Sequence, residues 1–361
     1  MIFRQLFDHV SSTYTYLLAD EETREAVIID TVFEQHARDA ALVRELDLNL
    51  RFVLDTHCHA DHVTGAWLMK TAFGAKVGLS KEYDAANVDL PLAGGESIAF
   101  GAHSLEVLPT PGHTSGCLSY LTNDKAMVFT GDALLVRGAG RTDFQGGDAR
   151  KLYQSIRQRL FSLPPDCVVY PGHDYEGRTS STIGEERAHN PRIGRGAREE
   201  DFVGYMQNLA LPHPKQLAIA LPANLRAGKP DTDVERAPAW GPVVTSYAGN
   251  PEIAPEWVAR HRDQVHVLDV RSAGEFNGEL GHIEGAQLVP LDGLRERVAE
   301  VRTDKPVVVV CQTGGRSAMG AAILRKAGFT RVANVTGGMM RWHTLALPST
   351  ASEWAFESSA L

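Results

Sequence analysis

The sequence predicts an α/β protein with two domains, on three observations. The chain has 361 residues, which is more than a single typical domain contains. Strand-like and helical segments alternate over residues 1–54, and residues 306–310 form a nearly continuous β-branched run, typical of a parallel strand covered on both faces. Gly, Pro and charged residues become frequent from 227 to about 244. We therefore expect a domain at 1–230, a linker at 231–250 and a second domain at 251–361.

The composition is that of a globular protein with a full core, and it argues against some classes of partner. Apolar residues make up 43% of the chain and charged residues 22%. The net charge of -9 argues against nucleic acid or an anionic membrane surface as a partner. No apolar run is long enough to span a bilayer. Four scattered cysteines without a CxxC pair indicate free thiols in a reducing compartment, which predicts a cytoplasmic location.

The elements of the first domain follow from the spacing of its apolar residues. The N-terminal residues have the pattern of a strand and not of a signal peptide. Strands are predicted near 12–18, 25–30, 75–79 and 104–108, and helices near 35–48 and 65–70. The apolar run 51–54 predicts another strand, and it leads directly into a polar cluster.

This cluster, residues 55–62, contains three histidines and two carboxylates in eight positions. Its members are Asp55, His57, His59, Asp61 and His62. Side chains alternate along a strand, so His57 and His59 are expected to point to one side and Cys58 to the other. A single histidine is more often a core or surface residue. Five such residues in this order indicate a site for a catalytic divalent metal.

Three later strands also end on a residue that can bind a metal. His113 follows the strand that ends near 110, Asp132 ends the run 128–132, and His173 ends the run 168–173. Binding sites are commonly built on loops that a rigid sheet holds in place. Each of these residues alone could be an ordinary turn residue. Their order after the first cluster favours one shared site.

These four segments resemble the motifs of the metallo-β-lactamase superfamily. The segments are THCHADH at 56–62, PGHT at 111–114, TGD at 130–132 and PGHD at 171–174. The resemblance covers roughly residues 1–230. It implies an αβ/βα sandwich with the metal between the edges of two sheets, and it does not by itself choose a reaction.

Two branches of that superfamily use these residues differently. A resemblance to glyoxalase II would imply two zinc ions and thioester hydrolysis. His57, His59 and His113 would then hold one ion, Asp61, His62 and His173 the other, and Asp132 would bridge them. A resemblance to the persulfide dioxygenases would imply one Fe(II) per chain, bound by His57, His113 and Asp132. His59, Asp61, His62 and His173 would then orient ligands and water.

The segments around the motifs favour the second branch. Residues 131–144, 170–175 and 221–226 resemble the persulfide dioxygenases. That resemblance implies that Arg141 and Tyr175 contact the glutathione part of the substrate, since arginine pairs with carboxylates and tyrosine offers a hydroxyl. The alternative for Arg141 is a structural ion pair with Asp143 or another neighbour.

The second domain contains a cysteine in a position that stabilises a thiolate. The strand 306–310 leads into Cys311, and a helix is expected over 318–327. A helix N-terminus lowers the pKa of a thiol. Arg316 adds positive charge, and backbone N–H groups of the loop can converge on an anion. The loop residues are Gln312, Thr313, Gly314, Gly315 and Ser317. A lone cysteine is more often buried and inert, as expected for Cys117 and Cys167, but this setting predicts a nucleophile.

The length of this loop resembles that of the rhodaneses. Cys311 and Arg316 are separated by four residues, whereas phosphatases of related design have five. Other segments resemble the same family, at 269–271, 275–276, 281–286 and 337–338, together with Trp342. The resemblance covers about 250 to the end of the chain and implies a cysteine persulfide at Cys311. Asp269, Arg271 and His282 are expected to be mainly structural.

Together these features predict a fusion of a persulfide dioxygenase with a rhodanese. We expect oxidation of glutathione persulfide by O2 to sulfite and glutathione, with sulfane sulfur transferred between thiosulfate and glutathione through Cys311. One alternative is a dinuclear zinc thioester hydrolase with an accessory sulfurtransferase. Another is a C-terminal domain that serves only as a sulfur relay or interaction module. Relatives of the first domain suggest a homodimer.

Overall fold

The computed structural model describes residues 1–209, 211–212, 214–230 and 240–350. The chain divides into two compact units, Met1–Asp233 and Val234–Leu361. None of the described helices is long and apolar enough to cross a membrane.

The first unit is built on two sheets of six strands each. The first sheet has strands in the order in which they occur in the chain: β1 (Ile2–Asp8), β2 (Thr13–Ala19), β3 (Glu25–Ile29), β4 (Asn49–Leu54), β5 (Lys76–Ser80) and β6 (Leu90–Leu92). In the second sheet, too, neighbouring strands follow one another in the chain: β7 (Ser97–Phe100), β8 (His103–Pro109), β9 (Leu118–Thr122), β10 (Met127–Gly131), β11 (Val168–Pro171) and β12 (Ser181–Thr182).

Helices cover the outer faces of both sheets. They are α1 (His36–Glu45), α2 (Ala66–Phe73), α3 (Ala149–Ser155), α4 (Ile183–His189), α5 (Glu199–Gln207) and α6 (Leu217–Asn224), and α3 continues as a π-helix over Ile156–Leu160. One buried cluster lies between the sheets and includes Tyr16, Phe100 and Phe129, while separate clusters lie under the helices of each sheet. The αβ/βα sandwich predicted from the motifs is confirmed.

The two sheets are joined by backbone hydrogen bonds at the edge where the polar motifs lie. The Tyr14 N–H donates to the Gly172 carbonyl at 2.9 Å, and the Leu118 N–H donates to the Thr56 carbonyl at 2.8 Å. The first bond connects β2 to the residue after β11, and the second connects β9 to the loop after β4. The segments directly after β4 and β11 are therefore each held to a strand of the other sheet.

The second unit contains a six-stranded sheet, covered on both faces. Its strands are β13 (Val244–Thr245), β14 (Pro251–Ile253), β15 (His266–Asp269), β16 (Gln287–Leu288), β17 (Val307–Val310) and β18 (Val332–Val335), in the order β13-β14-β18-β17-β15-β16. Its helices are α7 (Pro255–Arg260), α8 (Ala273–Phe276), α9 (Gly315–Lys326) and α10 (Gly338–Thr344). β17 is completely buried and pairs in parallel with both neighbours, as its β-branched run predicts.

The predicted linker, residues 231–250, differs from the structure where the two can be compared. Residues 231–239 lie outside the described residues. Val244–Thr245 form β13 and pair antiparallel with β14, and Trp240 and Val243 pack against the core of the second unit. A polar, Pro- and Gly-rich composition does not reveal this edge strand, because only two residues form it.

A buried ion pair links the end of β15 to the following loop. Arg271 and Asp269 are 1% and 0% exposed, and the Arg271 Nη2 lies 2.7 Å from both Asp269 Oδ2 and the Gly281 carbonyl. The structural role predicted for these two residues agrees with this arrangement. His282 stacks on Phe276 with ring centroids 3.7 Å apart, which fits its predicted structural role as well.

Removing the carboxylate of this pair is expected to destabilise the second unit strongly. Asp269→Ala leaves the Arg271 guanidinium buried without its counter-charge, which costs about 3–5 kcal/mol. The free energy of unfolding in urea, measured on the full chain, tests this. Glu279→Ala removes an exposed carboxylate and should change that free energy by less than about 0.5 kcal/mol. An equally small loss in Asp269→Ala would contradict the expectation.

Candidate functional site

The structure brings the predicted metal-binding side chains of the first unit together. His57, His59, Asp61 and His62 lie in the loop after β4, His113 follows β8, Asp132 follows β10, and His173 follows β11. The ring centroids of His57 and His59 are 4.1 Å apart, and those of His57 and His113 are 5.0 Å apart. His57 and His59 thus share one side of the chain, as the alternation of side chains predicted.

Two groups of three possible ligands stand side by side. In the first, atoms of His57, His113 and Asp132 lie within 4.8 Å of one another. The second group meets the same distance criterion with His59, Asp61 and His173. Asp132 stands at the boundary, because its Oδ2 is 3.6 Å from His113 Nε2 and its Oδ1 is 3.7 Å from His173 Nε2.

Hydrogen bonds fix the tautomers of the first group. His113 Nδ1 lies 2.7 Å from the Arg141 carbonyl, which only accepts, so Nδ1 carries the proton. Thr56 donates its hydroxyl to Asp30 at 2.9 Å and therefore accepts from His57 Nδ1 at 3.0 Å. Both histidines consequently turn Nε2 away from these partners, which is how a metal-binding histidine is commonly oriented.

Buried polar atoms without a protein partner show that these residues fit a metal. Among the described residues, His59 Nδ1, His62 Nε2 and Asp132 Oδ1 are buried and make no hydrogen bond. Such atoms are costly unless something binds them. Burial, with neighbouring imidazoles adding to it, holds the pKa of His57 and of His59 well below its usual range. Both imidazoles are therefore neutral, the form that binds a metal.

A cavity of about 780 Å³ opens beside this group. Arg141 and Tyr175 both line it, as do Phe144 and several cationic side chains: Arg137, Arg178, Arg192 and Lys215. Arg141 donates to both carboxylate oxygens of Asp143 at 2.7 Å, and also to the carbonyls of residues 211 and 212. The structure therefore shows the ion pair that the sequence left as the alternative for Arg141. Tyr175 is 73% exposed and stacks parallel to His173.

The second unit places Cys311 at the end of β17, directly before α9. Its Sγ lies 3.1 Å from the Gly314 N–H and 3.2 Å from the Ser317 hydroxyl. Gly314 has a φ of 105°, a left-handed conformation that closes the loop at the helix start. A Cβ on Gly338 would lie 2.4 Å from the Cys311 carbonyl, so glycine there allows α10 to pack against the loop.

Cys311 differs from the other cysteines in its acidity. Burial raises the pKa of its thiol, but hydrogen bonds from the loop, among them those of the backbone N–H groups of Ser317, Gly314 and Thr313, lower it below the usual value. Burial raises the pKa of the other three thiols to about 12, 12 and 11, for Cys58, Cys117 and Cys167 respectively. Cys311 is therefore the most acidic of the four thiols, which fits the predicted nucleophile.

Arg316 and Glu275 form an ion pair beside the cysteine loop. Arg316 Nη1 lies 2.8 Å from Glu275 Oε2, and its Nη2 contacts the other oxygen. The Arg316 guanidinium lowers the pKa of Glu275 to about 2, against an ordinary value of 4.5. The positive charge predicted at this position is thus present, but it is balanced by a carboxylate.

Comparison with known proteins identifies both units. Residues 10–173 match the model of the metallo-beta-lactamase superfamily. Persulfide dioxygenase ETHE1, mitochondrial, from Homo sapiens is 50% identical over 228 residues, which is 63% of this chain and 89% of that protein. This chain belongs to the metallo-beta-lactamase superfamily. Residues 254–345 match the model of the rhodanese-like domain, so the C-terminal unit is a rhodanese unit.

Solved structures agree with this assignment. The crystal structure of ETHE1 from Myxococcus xanthus is 51% identical, has a TM-score of 0.61, and covers 63% of this chain and 100% of that chain. A metallo-beta-lactamase from Staphylococcus aureus has a TM-score of 0.58 and covers 93% of this chain and 98% of that chain. At 23% identity it shows a likeness of fold alone.

Asn224, for which the sequence predicts no role, is hydrogen-bonded to the loop that carries His59 and His62. It is 2% exposed and lies at the end of α6. Its Nδ2 donates to the carbonyls of His59 and His62 at 2.9 Å, and its Oδ1 accepts from the Thr64 N–H at 2.8 Å. In the sequence, the segment 221–226 shows only a family resemblance. The contact of Asn224 with a residue 160 positions away cannot be seen in the residues around it.

The ion pair of Glu275 predicts a pH dependence for the rhodanese unit. Because the folded pKa of about 2 lies below the ordinary 4.5, ionised Glu275 stabilises the fold above pH 4.5. That contribution is lost as the pH falls from 4.5 toward 2. The difference in unfolding free energy between wild type and Glu275→Gln, measured in urea, should therefore shrink over this range.

The Glu279→Gln variant is the control for this measurement, because it makes the same chemical change at an exposed carboxylate. A difference between wild type and Glu275→Gln that stays constant down to the lowest measurable pH would contradict the expected role of Glu275.

Proposed function

We propose that the metallo-β-lactamase unit oxidises glutathione persulfide with O2 and water to glutathione and sulfite. One Fe(II) would be held by His57, His113 and Asp132. The observation that supports this most directly is the grouping of these three side chains within 4.8 Å beside the cavity. Two histidines and one carboxylate leave open positions on an iron, the arrangement of non-haem iron oxygenases. The 50% identity to a persulfide dioxygenase supports the same reaction.

A metal bound there would supply these open positions and the redox chemistry. The protein would orient the histidine ligands and the water. The Arg141 carbonyl and the Thr56 hydroxyl keep His113 and His57 in the required tautomers. We assign His59, Asp61, His62 and His173 the task of orienting water and ligands. The reaction consumes one water and releases two protons for each sulfite, so neighbouring groups that bind water and accept protons suit it.

The cavity suits the glutathione part of the substrate. Glutathione has two carboxylates, and the cationic side chains that line the cavity can bind them. We propose that Tyr175 offers its hydroxyl from the exposed rim and that Arg141, fixed by Asp143, lines the glutathione-binding surface. Because Arg141 is already paired, Lys215, which also lines the cavity, becomes a candidate for direct pairing with a substrate carboxylate.

A dinuclear zinc hydrolase is the second candidate, and one observation favours it. His59, Asp61 and His173 also lie within 4.8 Å of one another, and His59 Nδ1 is buried without a protein partner. These residues could hold a second ion with Asp132 between the two. Metal content distinguishes the candidates.

We propose that the rhodanese unit transfers sulfane sulfur between thiosulfate and glutathione. The Cys311 thiolate attacks the outer sulfur of thiosulfate, the S–S bond breaks, and sulfite leaves with the electron pair. The thiolate of glutathione then attacks the outer sulfur of the Cys311 persulfide, which gives glutathione persulfide and restores the Cys311 thiolate. The supporting observation is the lowered pKa of Cys311 in a loop of converging N–H groups.

In this proposal the other loop residues bind the anionic substrate. Gln312, Thr313, Gly314 and Gly315 supply backbone N–H groups at the start of α9, and Arg316 contributes its charge. Ser317 lies beside the sulfur. Glutathione persulfide connects the two reactions. The cytoplasmic location, the homodimer and the lack of a nucleic-acid or membrane partner stay predictions of the sequence.

Loss of His113 is expected to remove both the metal and the oxidation. Wild-type protein loaded with iron should contain about one iron per chain and consume O2 with glutathione persulfide. His113→Ala should lose at least about 100-fold in O2 uptake, because a ligand to the open metal site is gone. His103→Ala, which changes a histidine on β8 outside the site, is the control. About two zinc per chain and no O2 uptake in wild type would reject the proposal.

Replacement of Cys311 tests the second reaction separately. Cys311→Ser should lose the transfer of sulfur from thiosulfate to glutathione by at least about 100-fold, because a hydroxyl cannot carry sulfane sulfur. Its O2 uptake with glutathione persulfide should equal that of wild type. Cys167→Ala, which changes a buried thiol of the other unit, should retain both reactions. Transfer retained in Cys311→Ser would exclude this residue as the sulfur carrier.

A further inference from the structure

The Ser317 hydroxyl beside Cys311 lies within hydrogen-bond distance of three acceptors and can donate to only one of them at a time. Asn334 Oδ1 lies 2.6 Å from Ser317 Oγ, the Gly314 carbonyl 3.1 Å and the Cys311 Sγ 3.2 Å. A serine hydroxyl has a single hydrogen to donate. The shortest of these contacts is to Asn334, at a distance typical of a good O–H···O bond.

The strand pairing fixes which way the Asn334 amide faces. Asn334 on β18 is the register partner of Glu252 on the parallel strand β14, so the two side chains lie next to each other. Asn334 Nδ2 donates to Glu252 Oε1 at 3.3 Å, and a carboxylate only accepts. With the NH2 group turned to Glu252, the amide oxygen faces Ser317.

The direction of the remaining bonds follows from that orientation. An amide oxygen only accepts, so Ser317 donates its hydrogen to Asn334 and turns a lone pair toward Cys311. In this arrangement Ser317 can accept from a Cys311 thiol but cannot donate to a thiolate. Asn334 is 2% exposed, so bulk water does not take its place as the hydrogen-bond partner of Ser317.

We propose that Asn334 is a positioning residue for Cys311: oriented by Glu252, it holds the Ser317 hydrogen away from the sulfur and so shifts formation of the nucleophilic thiolate to higher pH. The inference rests on the proposed role of Cys311 as the sulfur carrier. The backbone N–H groups of the loop favour the thiolate. The Ser317 hydroxyl, which can rotate, is kept by Asn334 from donating to the sulfur. Release of that hydrogen to the sulfur activates Cys311.

The charged groups around the loop do not account for this effect. Arg316 from α9 is paired with Glu275 from α8. Asp269 at the end of β15 is paired with Arg271. Glu252 from β14 is a further charged group, and among the described residues it is connected to the sulfur through hydrogen bonds of Asn334 and Ser317. The direction in which the Ser317 hydroxyl donates its hydrogen bond, and not a nearby charge, is therefore the feature whose effect on the Cys311 thiolate is tested.

The test is the pH profile of alkylation of Cys311 by iodoacetamide in the full-length protein. The thiolate displaces iodide, so the rate follows the thiolate fraction. Mass spectrometry of the Cys311 peptide reports this residue alone. All four thiols are buried, but the pKa of the other three is raised, to about 12, 12 and 11, so they serve as internal unreactive references.

Asn334→Leu should increase the rate about tenfold at a pH below the wild-type midpoint, the factor expected when an ionised group gains a hydrogen bond. In a Ser317→Ala background the same substitution should change nothing, because no hydroxyl remains to be released. An unchanged profile in Asn334→Leu, or an equal change without Ser317, would overturn the inference.

A milder substitution at Glu252 covers the case in which Asn334→Leu does not fold. Glu252→Gln keeps the size of the side chain but no longer requires the NH2 group of Asn334, so a smaller rise in the same direction is expected. Glu256→Gln removes an equal charge from α7, outside this chain of hydrogen bonds, and should leave the profile unchanged. Equal profiles in wild type and Glu252→Gln would also overturn the inference.

These outcomes are separate from those of the proposed reaction. Alkylation needs no sulfur substrate. A protein with the expected profiles but no sulfur transfer would refute the proposed function of the rhodanese unit and leave the role of Asn334 standing.

Discussion

The candidate metal site depends on the buried carboxylate of Asp30, a residue outside the motifs. It accepts from the Thr56 N–H at 2.7 Å, from the Thr56 hydroxyl at 2.9 Å and from His59 Nε2 at 3.1 Å. Through Thr56 it sets the tautomer of His57, and directly it sets that of His59. One carboxylate at the end of β3 thus decides which ring atoms of two histidines face the site. A buried carboxylate is costly unless fully paired, and that cost is what makes the arrangement specific.

In the rhodanese unit, too, a carboxylate outside the reactive loop fixes the direction of a chain of hydrogen bonds. The directions of its hydrogen bonds, from Ser317 to Asn334 and from Asn334 to Glu252, are set by which atoms can only accept. In both units a strand neighbour outside the reactive loop determines where a hydrogen lies. The reactive groups are recognisable from their own motifs. Their protonation depends on partners that lie elsewhere in the chain.

This distinction explains how much the sequence predicts. Strand ends carrying histidine, carboxylate or cysteine are visible locally, so the sandwich, the parallel strand β17 and the grouping of His57 with His113 and Asp132 follow from pattern and family resemblance. The supporting partners are not visible, because Asn224 contacts a loop 160 residues away. The ion pair of Arg141 could be offered only as one of two possibilities, since sequence spacing does not show whether a substrate or Asp143 occupies a guanidinium.

The two backbone hydrogen bonds that join the sheets have a consequence for the dynamics of the first unit. They connect Tyr14 to Gly172 and Leu118 to Thr56, so they border the segments that carry His57 and His173. A ligand that binds only while both hydrogen bonds are formed stabilises the hydrogen-bonded state by mass action. Occupancy of the site and protection of these two amides from hydrogen exchange are then linked. For such a ligand, filling the site reduces how often these two hydrogen bonds open, and opening them favours release of the ligand.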